Sequence, residues 1–305
     1  MDPVVIRFGG YQGPGSINTR GAVRFGEVLQ RELGDQIRFE LIGDVLARGR
    51  KSGDLPDMVE KGELAACYMS TVRFASAVPE LKLLELPFVV HSRPAAIKAL
   101  NGPLGDLFST RMRERTPFRA LGFWDNGFRH VTNRVRPIRT PADCAGLRIR
   151  TQMSELHAEA LGAMGFEPIS VDIKEFVEQI RTERFEAQEN PLTNTFHFGV
   201  HHLHRHITLT GHFFGSSALI CNAALYESWP ADVRSAVDLA AREATALQHQ
   251  LAAEEDEAVL AKIDRQENEV ITLSPAEQAA FVKAVEPVLA KHRATLDPKL
   301  FDYLR

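Results

Sequence analysis

The first third of the chain alternates between strand-like and helix-like segments, and this alternation constrains the fold more than any other feature. Val4–Gly9, Ile37–Ile42 and Leu64–Tyr68 are short apolar runs of strand character. Between them lie two stretches with helical periodicity, the first ended by Gly34 and the second spanning Leu55–Glu63. Strand, helix, strand, helix, strand at this spacing predicts a parallel sheet covered by helices.

The carboxyl ends of parallel strands form the edge where such sheets bind ligands. In this chain that edge is expected to collect Tyr11 and Gln12, Gly43-Asp44, and Ser70-Thr71. The glycine-rich turn before the first helix favours a plain helix entry over a phosphate loop, because Pro14 removes one backbone donor.

The rest of the chain predicts a second α/β unit and one very long helix. A length of 305 residues favours two domains, and a helix from Pro230 to about Glu269 would be long enough to bridge them. The other predicted elements are strands at Phe118–Trp124, His130–Thr132, Leu147–Arg150, Glu167–Ile169, Phe185–Gln188, Ile207–Gly211 and Ser217–Ala223, and helices at Glu155–Met164, Asp172–Thr182 and Ser274–Lys291.

Composition and charge narrow the class of function. The formal net charge is −4, and a mildly acidic chain is not typical of proteins that bind nucleic acids or membrane surfaces. The most apolar run, Leu83–Val90, is shorter than the ~18 residues that span a bilayer. Three widely spaced cysteines imply neither a zinc site nor a complete set of disulfides. With no leader before Val4, the sequence alone predicts a cytosolic protein or the mature part of a secreted one.

Two arginines lie where this architecture puts ligands. Arg150 ends a predicted strand, in which Arg148 shares its face because side chains alternate. Arg129 follows the aromatic-rich segment Trp124–Phe128. A guanidinium holds a carboxylate through two parallel charge-assisted hydrogen bonds, and Asn190 can add a neutral donor. The alternatives are surface ion pairs for the arginines and a plain Asn-Pro turn for Asn190.

Six histidines fall between His197 and His212, and His201 would share a helix face with His197. A metal site is one interpretation. A structural or solvated role is favoured, because no cysteine or aspartate supports the cluster. Phosphate-loop, dinucleotide, nucleophile-elbow and zinc-protease motifs do not occur in the sequence. The sequence therefore predicts no metal and no cofactor.

Several short motifs follow one another in a specific order. Leu86-Pro87-Phe88 comes first, and the others are Trp124–Arg129, Arg139–Asp143, Gly146–Arg150, Gln188–Pro191 and Leu209–His212. Each motif is weak alone. Their order and spacing, over essentially the whole chain, resemble the solute-binding proteins of tripartite ATP-independent periplasmic (TRAP) transporters, the DctP-like family.

The resemblance implies a two-lobed α/β fold of the periplasmic-binding-protein type. Each lobe would hold a mixed sheet flanked by helices, with a long helix spanning both lobes and the ligand cleft between them. Lobe I is expected at residues 1–124 plus about 212–252, and lobe II at 125–211 plus about 253–305. The resemblance also implies a periplasmic monomer, its leader absent from this sequence. Its partners would be the small and large membrane subunits of the transporter.

The resemblance assigns the binding positions too. The family's carboxylate-binding arginine falls on Arg150, an assisting arginine on Arg129, and the polar residue after the second-lobe strand on Asn190. The other implied ligand-binding positions are Trp124, Phe214, Thr71, Ser70, Gln12 and Tyr11. The ligand would be a small organic carboxylate, with a sugar acid or hydroxy acid as the best guess and aromatic acids and dicarboxylates next.

Departures from the family pattern affect the substrate prediction. Ile173 replaces a common aromatic or bulky residue, Glu186-Ala187 replace Asp-Gly, and Phe214 replaces a frequent tyrosine. These positions shape the pocket, so no particular substrate can be transferred. The alternative function is a two-domain α/β periplasmic enzyme acting on an organic acid. Its only candidate bases would be His130 and Glu189, and the sequence gives neither an evident partner.

Overall fold

The structure, a computed structural model, describes residues 3–304 as nine strands and eleven α-helices joined by short 3-10 turns. The strands are β1 (Val4–Gly9), β2 (Ile37–Ile42), β3 (Ala66–Ser70), β4 (Phe118–Asn133), β5 (Arg148–Thr151), β6 (Glu167–Ser170), β7 (Ala187–Pro191), β8 (His206–Asn222) and β9 (Glu269–Thr272). The helices are α1 (Ile17–Leu33), α2 (Leu55–Glu60), α3 (Lys82–Glu85), α4 (Arg93–Leu100), α5 (Pro103–Arg115), α6 (Glu155–Ala163), α7 (Ile173–Gln179), α8 (Leu192–His197), α9 (Ala223–Ser228), α10 (Ala231–Lys262) and α11 (Pro275–Arg293). Among the residues so described, no helix is both long enough and apolar enough to cross a membrane.

The chain forms two compact units, each assembled from three separate stretches. Unit 1 contains the residues up to Val78, Ile97–Asp125 and Ser216–Glu255. Unit 2 contains Pro79–Ala96, Asn126–Gly215 and the residues from Asp256 onward. Strands β4 and β8 and helix α10 therefore each contribute residues to both units.

Unit 1 contains the parallel sheet predicted from the first third of the sequence. Strand β1 pairs in parallel with β2 and with β3, and β3 pairs antiparallel with the end of β8. Helix α1 begins at the side chain of Ser16, which accepts a hydrogen bond from the Thr19 amide at 3.0 Å. Phe8, Phe25 and Phe39 pack together with ring centroids 5.5 to 6.3 Å apart, so the core joins α1 to the sheet.

The strand pairing in unit 2 is mixed. Strand β5 pairs in parallel with β6 and β7, and β7 pairs antiparallel with the end of β4. Strand β9 pairs in parallel with the beginning of β8. The core beneath this sheet contains Val131, Ile138, Leu147, Ile149, Leu161, Met164, Phe166, Phe213, Ile271, Phe281 and Val285. A mixed sheet with flanking helices in each unit confirms the predicted fold class.

Four elements have bounds that differ clearly from the prediction, namely β4, β7, β8 and α10. Two pairs of short strands are in fact the single strands β4 and β8, of 16 and 17 residues. Gly127 (φ +87°) and Gly211 (φ +57°) have positive φ inside them, and each strand continues past its glycine. Strand β7 continues through Asn190 to Pro191, beyond the predicted end at Gln188. The long helix α10 ends at Lys262, seven residues before the predicted end.

Gly105, in the first turn of α5, packs against the end of α4. A Cβ at this position would lie 1.9 Å from the carbonyl oxygen of Leu100. We therefore expect Gly105→Ala to lower the free energy of unfolding by about 1–3 kcal/mol, the usual cost of overpacking, in urea denaturation. Gly15→Ala is the matched control, because nothing lies within 4 Å of its added Cβ. Equal stability of the two variants would contradict this prediction.

Candidate functional site

Arg150 is held at the carboxyl end of β5, in unit 2. Its side chain is buried, with 3% of the residue exposed. The guanidinium donates from Nε and Nη2 to the carbonyl oxygen of Val171, at 3.2 and 2.9 Å, and lies 5.6 Å from the ring centroid of Phe176. The connection from β6 to α7 thus orients a buried cation at the strand end where the sequence predicted a ligand.

Arg129 forms a buried ion pair with Glu189. Its Nε and Nη2 atoms donate to the two carboxylate oxygens, and Nη2 also donates to the Glu189 carbonyl oxygen at 3.0 Å. Both side chains are almost completely buried. Burial alone would raise the pKa of Glu189, but Arg129 and His212 outweigh it and hold that pKa well below its usual range. Glu189 is therefore an anion at neutral pH.

Further polar groups surround the Glu189 carboxylate. The Thr151 hydroxyl donates to Oε1 at 2.7 Å, His157 Nδ1 lies 3.9 Å from Oε1, and His212 Nε2 lies 3.6 Å from Oε2. Burial lowers the pKa of His212, so its imidazole is neutral at neutral pH. Four side chains, from strands β4, β5 and β8 and from helix α6, thus converge on one buried carboxylate.

Asn190 is fixed by groups on both sides of its amide. Its Oδ1 accepts from Arg129 Nη2 at 3.2 Å, and its Nδ2 donates to Gln188 Oε1 at 2.6 Å. Gln188 presents that oxygen because its own NH2 donates to the hydroxyls of Thr132 and Thr195. The alternative interpretation of the sequence placed Asn190 in a plain Asn-Pro turn. It is instead a buried, oriented amide in contact with Arg129.

Strand register decides which side chains share a face. Arg150 pairs with Gln188 across β5 and β7, so Arg150, Gln188 and Asn190 lie on one face of the sheet. Glu189 pairs with Val131 across β7 and β4, which puts Glu189 and Arg129 on the opposite face. The contact between Arg129 and Asn190 joins the two sets at the end of β7.

The remaining predicted residue of unit 2, Phe214, is buried. Its ring packs edge-to-face on Phe128, with centroids 5.2 Å apart.

The predicted residues of unit 1 gather at the carboxyl ends of β1 and β3. Tyr11 pairs with Asp44 and donates its amide to the Tyr68 hydroxyl at 3.2 Å. Gln12 accepts a hydrogen bond from Asn18. Ser70 ends β3, and the Thr71 hydroxyl contacts Ser216.

Trp124 is fully buried in unit 1. It stacks on Tyr68 with centroids 5.4 Å apart and donates from Nε1 to the Thr245 hydroxyl of α10 at 3.1 Å. The structure therefore gives this residue a packing role between sheet and helix.

Sequence reasoning missed several members of the unit 2 network. Thr151 directly follows Arg150, and this adjacency is the one local signal in the sequence that could have identified Thr151. His157 and Glu85, whose side chains meet at 2.9 Å, are 72 residues apart. Glu189 was considered only as a base without an evident partner, and the structure corrects this, because Arg129 and Thr151 both bind its carboxylate.

The histidines from His197 to His212 do not gather around one point, although the ring centroids of His201 and His202 lie 3.9 Å apart. His201 stacks on Phe196, His204 contacts Thr132, and His206 contacts Glu269. Across residues 3–304, no group of three His, Cys, Asp or Glu side chains is arranged to hold a metal ion. His130, the other candidate base, is half-buried and accepts a hydrogen bond from the Gly211 amide. Burial, together with His212 and Arg93, lowers its pKa to about 3.

Two relatives of this chain are named as periplasmic binding proteins. The 2,3-diketo-L-gulonate-binding periplasmic protein YiaO of Escherichia coli strain K12 is 28% identical over 254 residues, 82% of this chain and 76% of that protein. The C4-dicarboxylate-binding periplasmic protein DctP of Rhodobacter capsulatus is 26% identical over 289 residues, 94% and 86% of the two chains.

Two solved structures superpose closely on this chain. A TRAP periplasmic solute-binding protein from Shewanella oneidensis with bound succinate matches at a TM-score of 0.93 and 23% identity, over 99% of this chain and 98% of that one. The sugar acid binding protein DctPAm from Advenella mimigardefordensis, in complex with galactonate, matches at 0.93 and 21%, over 100% and 98%. The profile described as DctP, bacterial extracellular solute-binding protein, family 7, matches residues 8–295. The chain therefore belongs to this family of solute-binding proteins, as its motifs predicted.

Proposed function

We propose that this protein binds a small organic carboxylate through the guanidinium of Arg150 and delivers it to the membrane subunits of a TRAP transporter. The observation that carries the proposal is the burial of Arg150 at the carboxyl end of β5, in an orientation fixed by Val171 and Phe176. A cation held this way is preorganised for a carboxylate, because little ordering is left to be done on binding.

The ligands of similar proteins share one chemical group. Succinate, galactonate and D-erythronate are bound in solved structures of this fold, and the relative from Escherichia coli is described as binding 2,3-diketo-L-gulonate. All four are carboxylates, and three carry hydroxyl groups. Their shared carboxylate supports a carboxylate as the group that this protein recognises. Because the rest of the ligand differs among them, its identity here must be inferred from this chain's own residues.

Among carboxylates we favour a sugar acid or a small hydroxy acid. Asn190 and Arg129 supply oriented amide and guanidinium groups in unit 2, and such groups pair with hydroxyls as well as with carboxylates. Aromatic acids and dicarboxylates are the next candidates. In unit 1, Tyr11, Gln12, Ser70, Thr71 and Trp124 stay predictions of ligand contact, as does Phe214 in unit 2.

The organisation implied by the family completes the proposal. We assign the lobes to residues 1–124 plus about 212–252 and to residues 125–211 plus about 253–305, with the protein acting in the periplasm as a monomer. Proteins of this family are periplasmic solute-binding proteins rather than enzymes. The enzyme alternative predicts chemical turnover of the acid, so ligand recovered unchanged after incubation would exclude it.

A thermal shift screen tests the proposed function. Purified protein with chelator present would be heated with succinate, D-erythronate or galactonate, and with the uncharged polyols erythritol and galactitol as matched controls. A ligand at a thousand times its Kd stabilises by about 4 kcal/mol, so we expect one acid to raise Tm by several degrees. The polyols should have no effect. Stabilisation by a polyol equal to that by its acid would contradict carboxylate recognition.

A further inference from the structure

Strand β2 lies at the edge of the sheet. It pairs in parallel with β1, and among the residues that the structure describes no strand pairs with its other side. The Gly10 amide donates to the Ile42 carbonyl at 2.8 Å, so the backbone groups of Ile42 point toward β1. Because this direction alternates along a strand, the N–H and C=O groups of Ile37, Phe39 and Leu41 point outward.

An apolar groove lies between β2 and α1, on the face of the strand that carries Phe39. It has a volume of about 580 Å³ and is lined by Val23, Gly26, Glu27, Gln30, Phe39 and Leu41. Phe39 and Leu41 are only half-buried, and Val23 is 42% exposed. Apolar surface is thus exposed beside an unpaired strand edge, and covering it would be favourable.

The opposite face of β2 carries charges of alternating sign. Arg38 and Glu40 pair with each other at 3.0 Å, and their side chains are 58% and 36% exposed. Glu40 also pairs with Arg7 of β1 at 2.8 Å. Charged residues on an edge strand commonly prevent it from pairing with another strand. Whether they do so here depends on which charges would meet across the new strand pair.

We propose that the edge of β2 pairs with the same edge of a second copy of this protein, as antiparallel strands centred on Phe39. In this register Phe39 exchanges two backbone hydrogen bonds with its equivalent, and Ile37 does so with Leu41 of the second copy, because all three residues point outward. Arg38 of each copy lies opposite Glu40 of the other. This is a non-hydrogen-bonded pair, in which the side chains come closest.

The charges select this register over its neighbours. Outward-facing backbone groups must meet outward-facing ones, which leaves one neighbouring register on each side. In one of them Arg38 lies opposite Arg38 of the second copy, and in the other Glu40 lies opposite Glu40. Like charges directly opposite each other destabilise a strand pair. The alternation of charge therefore favours pairing in one register instead of preventing it.

Association through this edge is expected to be weak and reversible. One strand of six residues and one groove make an interface at the low end of the sizes that specific complexes use. The predicted ligand contacts of unit 1 lie outside β2 and α1; they are Tyr11, Gln12, Ser70, Thr71 and Trp124. The inference goes beyond the proposed function, because the monomer remains the form assigned to transport and the pair forms at high concentration.

Sedimentation equilibrium over a range of protein concentrations tests the pairing without any ligand. We expect a monomer–dimer exchange with a Kd of roughly 10 µM to 1 mM. Arg38→Glu or Glu40→Arg alone puts like charges opposite each other and should weaken dimerisation at least about fivefold. Both substitutions in one chain restore opposite charges and should restore the wild-type Kd. An equimolar mixture of the two single variants should form a heterodimer.

Arg50→Glu and Glu63→Arg are the matched controls. These two residues form a comparable ion pair of unit 1 outside β2, with side chains 51% and 43% exposed, so their reversal should leave the Kd unchanged. Wild-type protein that stays monomeric at every concentration would leave the edge to another partner and overturn the proposal. Equal Kd values in the wild type and Arg38→Glu, or a double exchange that fails to restore dimers, would overturn it too. None of these outcomes affects carboxylate binding, which the thermal shift screen measures separately.

Discussion

Arg150→Ala is expected to abolish measurable binding of organic acids while the protein remains folded. The alanine removes the guanidinium that we assign to the ligand carboxylate and leaves that carboxylate desolvated without a partner. Truncating one member of a buried charged pair costs about 2–5 kcal/mol, which weakens binding by roughly 30- to 5,000-fold. Isothermal titration calorimetry with the acid identified by thermal shift measures this loss. Arg150→Lys should also bind poorly, because an ammonium cannot reproduce the two parallel hydrogen bonds of a guanidinium.

Arg148→Ala is the matched control for this experiment. Arg148 lies two residues earlier in β5 and shares the face of Arg150, but its guanidinium is engaged by Glu186 and its side chain is 41% exposed. Its removal should leave affinity within about twofold, since exposed pairs contribute ~1 kcal/mol or less even to stability. Near-native affinity in Arg150→Ala, or equal losses in both variants, would rule out Arg150 as the carboxylate-binding residue.

Glu189→Gln is expected to cause the largest loss of stability. It leaves the Arg129 guanidinium buried without its counter-ion, and breaking a buried pair in this way costs about 3–5 kcal/mol. The sign of the pH dependence follows from the depressed pKa of Glu189. The carboxylate contributes its full stabilisation above the unfolded value near pH 4.3, and the contribution is lost as pH falls through the lower folded value. The wild type should therefore lose more stability on acidification than Glu189→Gln.

Two comparisons make the measurement specific to the buried pair. Glu159→Gln removes a partly exposed glutamate that pairs with Lys291 and His292, and it should cost ~1 kcal/mol or less in urea denaturation. Replacing both members, Arg129→Met with Glu189→Leu, should recover much of the stability, because two apolar side chains leave no charge uncompensated. Additive losses in the double variant would show that the two side chains do not depend on each other.

Much of the fold could be predicted because local signals agreed with tertiary structure. The bounds of β1 and β2 match the predicted strands. Helices α6 and α11 begin close to their predicted starts, where the side chains of Ser154 and Ser274 cap them. The long strands were missed because Gly127 and Gly211 are usual turn residues. Each strand nevertheless continues past its glycine, which no local pattern reveals.

The candidate site was predictable only where chemistry and strand position coincide. Arg150 ends a short strand of a parallel sheet, so alternation and topology were enough to single it out. The role of Glu189 could not be predicted from the sequence, because Arg129, which binds its carboxylate, is 60 residues away in the chain. The same holds for Glu85 and His157, whose meeting depends on how α3 and α6 pack.

Each unit is assembled from three separate stretches of sequence, and this affects both the synthesis of the chain and its cleavage by proteases. Unit 1 lacks Ser216–Glu255, and with it the end of β8 and most of α10, until synthesis has passed Glu255. Unit 2 lacks the part of its core that contains Phe281 and Val285 until later still. A nascent chain therefore completes neither unit while only the first two stretches of each have been made. Cleavage within the first half of α10 leaves residues of both units on the C-terminal fragment. Because each unit consists of three stretches, neither can be excised as one continuous fragment.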